Sequence, residues 1–131
     1  MPITSRYNAD RDWFEQEFSA RIEPAMMREQ LDYISAHPNW GDGKPRLVRC
    51  GYDTDFSAMT LDSLGEEMAP FLRTSAHRFD ARAPTAIIAR DDVQHAVVSF
   101  CSLVPVMKDL LNVHVFTHEA KAIEFLEAAR V

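Results

Sequence analysis

The chain has 131 residues, 47% of them hydrophobic and 26% charged, and its formal net charge is −6. A chain of this length can bury a core without disulfides or metals, so we expect one domain over residues 1–131. The negative charge and the scattered arginines argue against nucleic-acid binding, because phosphate recognition requires clustered Lys and Arg. No apolar run approaches the roughly 18 residues of a membrane span, so no transmembrane segment is expected.

The N-terminus, MPITSRYNAD, lacks the apolar core of a secretory signal, which indicates a cytoplasmic protein. Cys50 and Cys101 both fall in apolar stretches, where we expect buried, reduced thiols rather than a disulfide. No spacing of His, Cys, Asp and Glu matches a metal site, and the glycines match no phosphate loop. We therefore expect no cofactor and no metal.

The N-terminal residues predict a β-hairpin. Residues 3–7 alternate between apolar and polar, and residues 8–11 have the composition of a turn. Alternation then continues from Trp13 to Ile22, with Phe14 on one face and Glu15 on the other. This pattern predicts a second strand that is half-buried.

The middle of the chain predicts two helices around a short strand. Pro24 is placed to begin a helix, and Leu31 belongs to its apolar stripe. Residues 47–50 predict a strand. Thr60 is placed to cap the second helix, in which Pro70 must introduce a kink or a break.

The last third predicts two consecutive βα units. TAIIARDD is a short apolar strand that ends in two carboxylates, and an apolar helix begins at Val93. NVHVFTH is a second short strand, and EAKAIEFLEAAR has the pattern of a final helix. Two βα units at this spacing imply parallel strands covered by helices. The predicted fold class is therefore α/β, with a mixed, mostly parallel sheet flanked by helices.

The predicted order of hairpin, helix, strand, helix, strand, helix, strand and helix resembles the SpoIIAA-like fold of STAS domains. The chain is similar to a family of small bacterial proteins related to SpoIIAA, most of which have no assigned function. The stretches that carry the resemblance are ITSRYNADRDWFEQEFSARI, AIIARDD and VHVFTHEAKAIEFL. The resemblance covers essentially the whole chain and implies a non-enzymatic regulatory or protein-binding module.

The resemblance also implies a candidate regulatory loop, residues 51–59. Anti-sigma-factor antagonists of this fold have a phosphorylatable serine in an Asp-Ser-Ser-Gly-like turn there, whereas this chain reads CGYDTDFSAMT. Asp53 places a like charge beside Thr54, which disfavours a phosphate on that hydroxyl. Ser57 lies closer to the positive end of the following helix and is the better switch candidate. A solvated loop without a switch is the default interpretation.

The apolar helix after Asp92 is the strongest candidate for a binding surface. No Lys, Arg, Asp or Glu occurs between Asp92 and Lys108, and apolar residues occupy more than one stripe of the helix. Burial under neighbouring elements and a surface for a partner explain this pattern equally well. A ligand, a protein partner or a second copy of the chain is predicted to contact Val97, Phe100, Cys101 and Val104.

A second hypothesis is a carrier of a small apolar, lipid-like ligand. Methionines suit an adaptable apolar cavity, although ordinary core packing is the simpler interpretation. The methionines in question are Met26, Met27, Met59, Met68 and Met107.

An enzyme is the third hypothesis, and we expect the chain not to be one. Acid or base groups would have to come from the carboxyl ends of the strands. The candidates there are Asp53, Asp55, Asp91, Asp92 and His118. The simpler interpretation of the pair Asp91 and Asp92 is that one caps the following helix and the other complements its positive end.

Overall fold

The computed structural model of the chain describes residues 2–41, 43–75, 83–103 and 111–129. In these residues five strands form one sheet in the sequential order β1 to β5. The strands are β1 (Ile3–Asn8), β2 (Trp13–Phe18), β3 (Arg46–Cys50), β4 (Pro84–Ile88) and β5 (Asn112–Phe116). β1 and β2 are antiparallel, and all other neighbours are parallel. The predicted α/β class with a mixed, mostly parallel sheet is confirmed.

Four helical segments accompany the sheet in the described residues. α1 spans Pro24–Ser35, α3 spans Asp92–Leu103 and α4 spans Glu119–Ala129. We call the remaining three consecutive pieces α2 together: Leu61–Ser63, Leu64–Met68 and Ala69–Thr74.

The helices cover the two faces of the sheet unequally. Val48 of β3 belongs to a core cluster that residues of α1 contact, whereas its neighbour Leu47 packs with Ala122 and Leu126 of α4. Side chains of α2 and α3 line the same space as Ile87 of β4. Because successive right-handed crossovers between adjacent parallel strands fall on one face, α1, α2 and α3 share that face and α4 returns over the other.

The prediction for the second strand was wrong in two respects. β2 ends at Phe18 rather than at Ile22, because Ala20 adopts a positive φ of 54° that breaks the extended backbone. The strand is also buried on both faces: Trp13 is fully buried and Glu15 is only 3% exposed. β2 is an interior strand, and α4 and long polar side chains cover the face that alternation assigned to solvent.

The predicted break in α2 takes the form of a π-helical turn. The N–H of Ala69 donates to the carbonyl of Leu64, five residues earlier, directly before Pro70. The wider turn accommodates the proline ring, which would clash with the preceding carbonyls of a regular helix. The predicted cap of the same helix is confirmed, because Thr60 and Ser63 exchange hydrogen bonds in a capping box.

Candidate ligand-binding site

A cavity of about 70 Å³ lies between the sheet and the helices α1, α2 and α3. Arg46 is the one charged residue among the described residues that line it, and the others are apolar. Protein interiors contain few voids larger than a water molecule, so an apolar cavity of this size is a candidate binding site for a very small molecule. Its walls include Phe18, Met27, Leu64, Ile87, Val98 and Val113.

Arg46 begins β3, and strand alternation places it on the same face as Val48 and Cys50. The residue is only 8% exposed. Its Nε donates to the hydroxyl of Thr85 at 3.1 Å, and Nη1 donates to the side-chain oxygen of Gln16 at 3.0 Å. Among the described residues, no carboxylate lies within ion-pair distance of this guanidinium.

The hydrogen bonds of Arg46 continue into a chain of neutral side chains. Gln16 donates to the hydroxyl of Ser5 at 3.0 Å, and Ser5 donates to the side-chain oxygen of Gln30 at 2.7 Å. The chain crosses β3, β2 and β1 and ends on α1. Neutral dipoles of this kind satisfy donors, but they do not neutralise a buried charge.

Burial lowers the pKa of Arg46 to about 10. The guanidinium therefore remains protonated at neutral pH, and a full positive charge stands beside the cavity. Removing such a charge from water is costly unless an opposite charge compensates for it.

The residues predicted to bind a ligand or a partner on the apolar helix do not share one surface. Val97 and Cys101 line the cavity, and their neighbour Val98 is buried. Phe100 is 52% exposed and lies on the outer side of α3. Val104 lies outside the described residues.

The methionines predicted to line a cavity occupy different positions in the structure. Met27 and Met59 line the cavity. Met68 is fully buried in the core, and Met26 is half-buried against a neighbouring cluster. Met107 lies outside the described residues.

Both cysteines are free thiols. Cys50 is buried, and burial raises the pKa of its thiol to about 12. Cys101 is half-buried at the cavity, and burial raises the pKa of this thiol as well. Because the thiolate is the nucleophilic form, neither environment activates a cysteine for covalent catalysis.

The candidate regulatory loop begins as a hydrogen-bonded junction. Thr54 is buried and its hydroxyl donates to the carbonyl of Phe18 at 3.0 Å, while Gln94 of α3 donates to the loop backbone at 2.9 Å. Asp53 and Ser57 are exposed. The residue Ser57 is therefore exposed in the folded chain, whereas the Thr54 hydroxyl is buried and hydrogen-bonded, and a switch at Ser57 stays a prediction.

The two acidic residues after β4, Asp91 and Asp92, lie at the N-terminus of α3. The carboxylate of Asp91 accepts a hydrogen bond from the backbone N–H of Gln94 at 2.8 Å, and Asp92 lies in the first helical turn. The capping interpretation is confirmed. Among the described residues, no hydrogen bond joins any two of the five acid or base candidates named from the sequence.

The histidines His114 and His118 lie in different surroundings. The ring centroid of His114 lies 4.5 Å from that of Phe125, and His118 is exposed where α4 begins. In the part of the chain that the structure describes, no group of three or more His, Cys, Asp or Glu could hold a metal ion.

A second buried charge lies on the opposite face of the sheet. Glu15 accepts hydrogen bonds from Arg49 at 2.6 Å, Arg6 at 2.8 Å, Asn8 at 2.8 Å and the Trp13 indole at 2.9 Å. Burial alone would raise the pKa of Glu15, but the hydrogen bonds from Arg49, Trp13 and Asn8 lower it to about 2. This carboxylate has two cationic partners, whereas Arg46 has no anionic one among the residues that the structure describes.

Neither buried charge was singled out from the sequence. For Arg46 a signal existed: in RLVRC, an alternating strand places Arg46 on the same face as the apolar Val48 and Cys50. A charged residue is rarely buried at an inward position of a central strand unless it has a partner.

Comparisons with protein-family models, with curated proteins and with solved structures gave no match to this chain. No helix among the described residues has the length and apolar content needed to cross a bilayer.

Proposed function

We propose that this chain is a non-enzymatic binding module that holds a small, mostly apolar molecule in the cavity between its sheet and helices α1 to α3. The observation that carries the proposal is a cavity of about 70 Å³ walled by apolar side chains. Met27 and Met59 contribute flexible thioether side chains to the wall, and such side chains adjust readily to ligands of different shape.

The size of the cavity limits the ligand. A cavity of about 150 Å³ accommodates benzene, so a cavity of about 70 Å³ accommodates about three carbons. A longer chain would have to displace wall residues, for which the two methionines are the best placed.

The direct test is native mass spectrometry of protein purified from cells, combined with thermal unfolding in the presence of short-chain compounds. We expect a bound mass, a rise in Tm with compounds of three or four carbons, and slower alkylation of Cys101, which lines the cavity. An unliganded mass, an unchanged Tm and unchanged alkylation would overturn the proposal.

A pair of variants assigns any binding to the cavity. Cys101→Met adds volume to a residue of the cavity wall and should abolish the rise in Tm. Phe100→Met changes the adjacent, exposed residue of the same helix and should leave the rise intact. Equal effects of the two substitutions would place the binding elsewhere.

A second candidate function is contact with a protein partner or a second copy of the chain through the outer side of α3. Val93 is 73% exposed and Phe100 is 52% exposed, seven residues apart on the same helical face. Sedimentation at micromolar concentration would detect self-association. In that case Val93→Glu and Phe100→Glu should give monomers that remain folded.

The resemblance to SpoIIAA and STAS proteins adds a regulatory role to this second candidate. Reversible phosphorylation of the exposed Ser57 and a cytoplasmic location both belong to that proposal. Phosphoproteomics of the native host together with partner capture by the wild type and Ser57→Ala tests it. Unmodified Ser57 under all growth conditions, with identical partners for both forms, would contradict the switch.

A further inference from the structure

The charge of Arg46 points to the chemical class of the ligand. The guanidinium is more than nine-tenths buried, and both of its hydrogen-bond acceptors, Gln16 and Thr85, are neutral. Burial of a cation whose described partners are all neutral carries a large desolvation free energy. Packing alone does not explain why a charged side chain occupies this position. An anion that enters the cavity would supply the missing opposite charge.

The hydrogen-bond inventory leads to the same conclusion. A guanidinium has five N–H donors, and the two bonds to neutral partners leave three of them. Nη2 donates to no described residue, yet no fully enclosed side-chain nitrogen or oxygen in the described part of the chain lacks a partner. Nη2 therefore retains contact with accessible space, and Arg46 is one of the residues that line the cavity.

The cavity favours a carboxylate over other anions. A planar guanidinium binds a carboxylate through two parallel N–H···O bonds. A phosphate ester carries about −1.5 to −2 charges and needs additional donors. Arg46 is the one cationic residue in the described part of the cavity wall, and the remaining wall is apolar, which suits a hydrocarbon tail.

We infer that the cavity binds a short-chain carboxylic acid, with the carboxylate on the guanidinium of Arg46 and the hydrocarbon tail against the apolar wall. This inference rests on the proposed function, because it names the ligand class of the same cavity. The carboxylate accepts hydrogen bonds from the unused donors, and Gln16 and Thr85 hold the guanidinium in place.

The test compares three probes of equal chain length: butanoate, 1-butanol and butyl phosphate. Binding at pH 7 is followed by calorimetry and by protection of Cys101 from alkylation in a Cys50→Ala background. We expect butanoate to bind at least about tenfold more tightly than 1-butanol, because its carboxylate forms charge-assisted hydrogen bonds.

The matched variants are Arg46→Met and Arg73→Met. Arg46→Met retains an unbranched side chain without the charge and should abolish the preference for butanoate over 1-butanol. Arg73→Met removes one positive charge from an exposed position of α2 and should leave the preference unchanged. If Arg46→Met does not fold, the comparison of probes on the wild type still decides the question.

The outcomes separate the two proposals. Equal binding of butanoate and 1-butanol, or a preference for butanoate that survives Arg46→Met, would overturn the carboxylate and leave the apolar cavity ligand standing. Tighter binding of butyl phosphate than of butanoate would also overturn the carboxylate. Failure of every probe to bind or to protect Cys101 would overturn the proposed function together with this inference.

Discussion

Glu15 and Arg46 lie on neighbouring strands of one sheet, face opposite sides of it, and are both more than nine-tenths buried. Their surroundings are opposites. Glu15 accepts from two arginines, an amide and an indole, whereas the described acceptors of Arg46 are an amide and a hydroxyl. The described part of the chain supplies opposite charges to Glu15 and none to Arg46.

The contrast separates two uses of a buried charge. A charge that its own fold neutralises links the elements around it, and Glu15 joins β1, β2 and β3 in this way, while Arg49 extends the link to Glu119 of α4. A charge that the fold leaves without a counter-ion, beside a cavity, is available to a ligand. The first should matter for stability and the second for binding.

The largest expected effect is the loss of the Glu15 carboxylate. Glu15→Ala leaves Arg49, Asn8 and the Trp13 indole without their shared acceptor in a buried site. We expect the free energy of unfolding, measured with urea at pH 7, to fall by about 3 kcal/mol.

The neighbouring Glu17 provides the matched control. It is exposed on the same face of the same strand, and Glu17→Ala should change stability by no more than about 0.5 kcal/mol. Similar losses for the two variants would show that the ion pairs of Glu15 contribute nothing beyond the strand itself.

The contribution of the Glu15 carboxylate to stability should also appear in the dependence of the free energy of unfolding on pH. The pKa of Glu15 is about 2 in the folded chain, below the ordinary value of 4.5, so its contribution is present above pH 4.5 and is lost as the pH falls towards 2. We expect the wild type to lose about 2–3 kcal/mol more than Glu15→Gln across this window. Parallel urea titrations of the two proteins at several pH values isolate the effect, and equal losses would contradict it.

Much of the fold could be predicted because its signals are local. The turn at residues 8–11, the cap at Thr60 and the apolar periodicities each depend on residues close in sequence. The burial of Glu15 depends instead on Arg49, 34 residues away, and on the return of α4 over the outer face. Alternation within β2 contains no information about either, so it assigned Glu15 to solvent.

The candidate site was predicted only in part for a related reason. Composition marked α3 as unusually apolar, but it could not divide the inward Val97 from the outward Phe100 without the positions of the strands beneath. The cavity arises where three helices meet the sheet, and no single segment encodes it. The one local signal that pointed to the cavity was the position of Arg46 two residues before Val48, which places both side chains on the same face of β3.

Arg46→Met should give the opposite result to Glu15→Ala. Relief of the desolvation penalty offsets the loss of two hydrogen bonds, so without ligand we expect stability at pH 7 to stay within about 1 kcal/mol of the wild type. Arg46→Lys keeps the charge and loses the planar fork, and it should be the less stable of the two. A loss of about 3 kcal/mol in Arg46→Met, matching Glu15→Ala, would make both charges structural and end the contrast.

The smallest expected effect tests which arginine compensates Glu15. Arg6 is 69% exposed in its ion pair with Glu15, whereas Arg49 is 19% exposed and also contacts Glu119. Exposed pairs contribute little because water and salt screen them, so Arg6→Met should cost about 0.5 kcal/mol, against about 2 kcal/mol for Arg49→Met. Double-mutant cycles with Glu15→Gln would isolate each coupling energy. Equal coupling energies for Arg6 and Arg49 would show that an exposed arginine compensates the charge of Glu15 as well as a largely buried one does. In that case, burial of the partner would not be what makes the compensation effective.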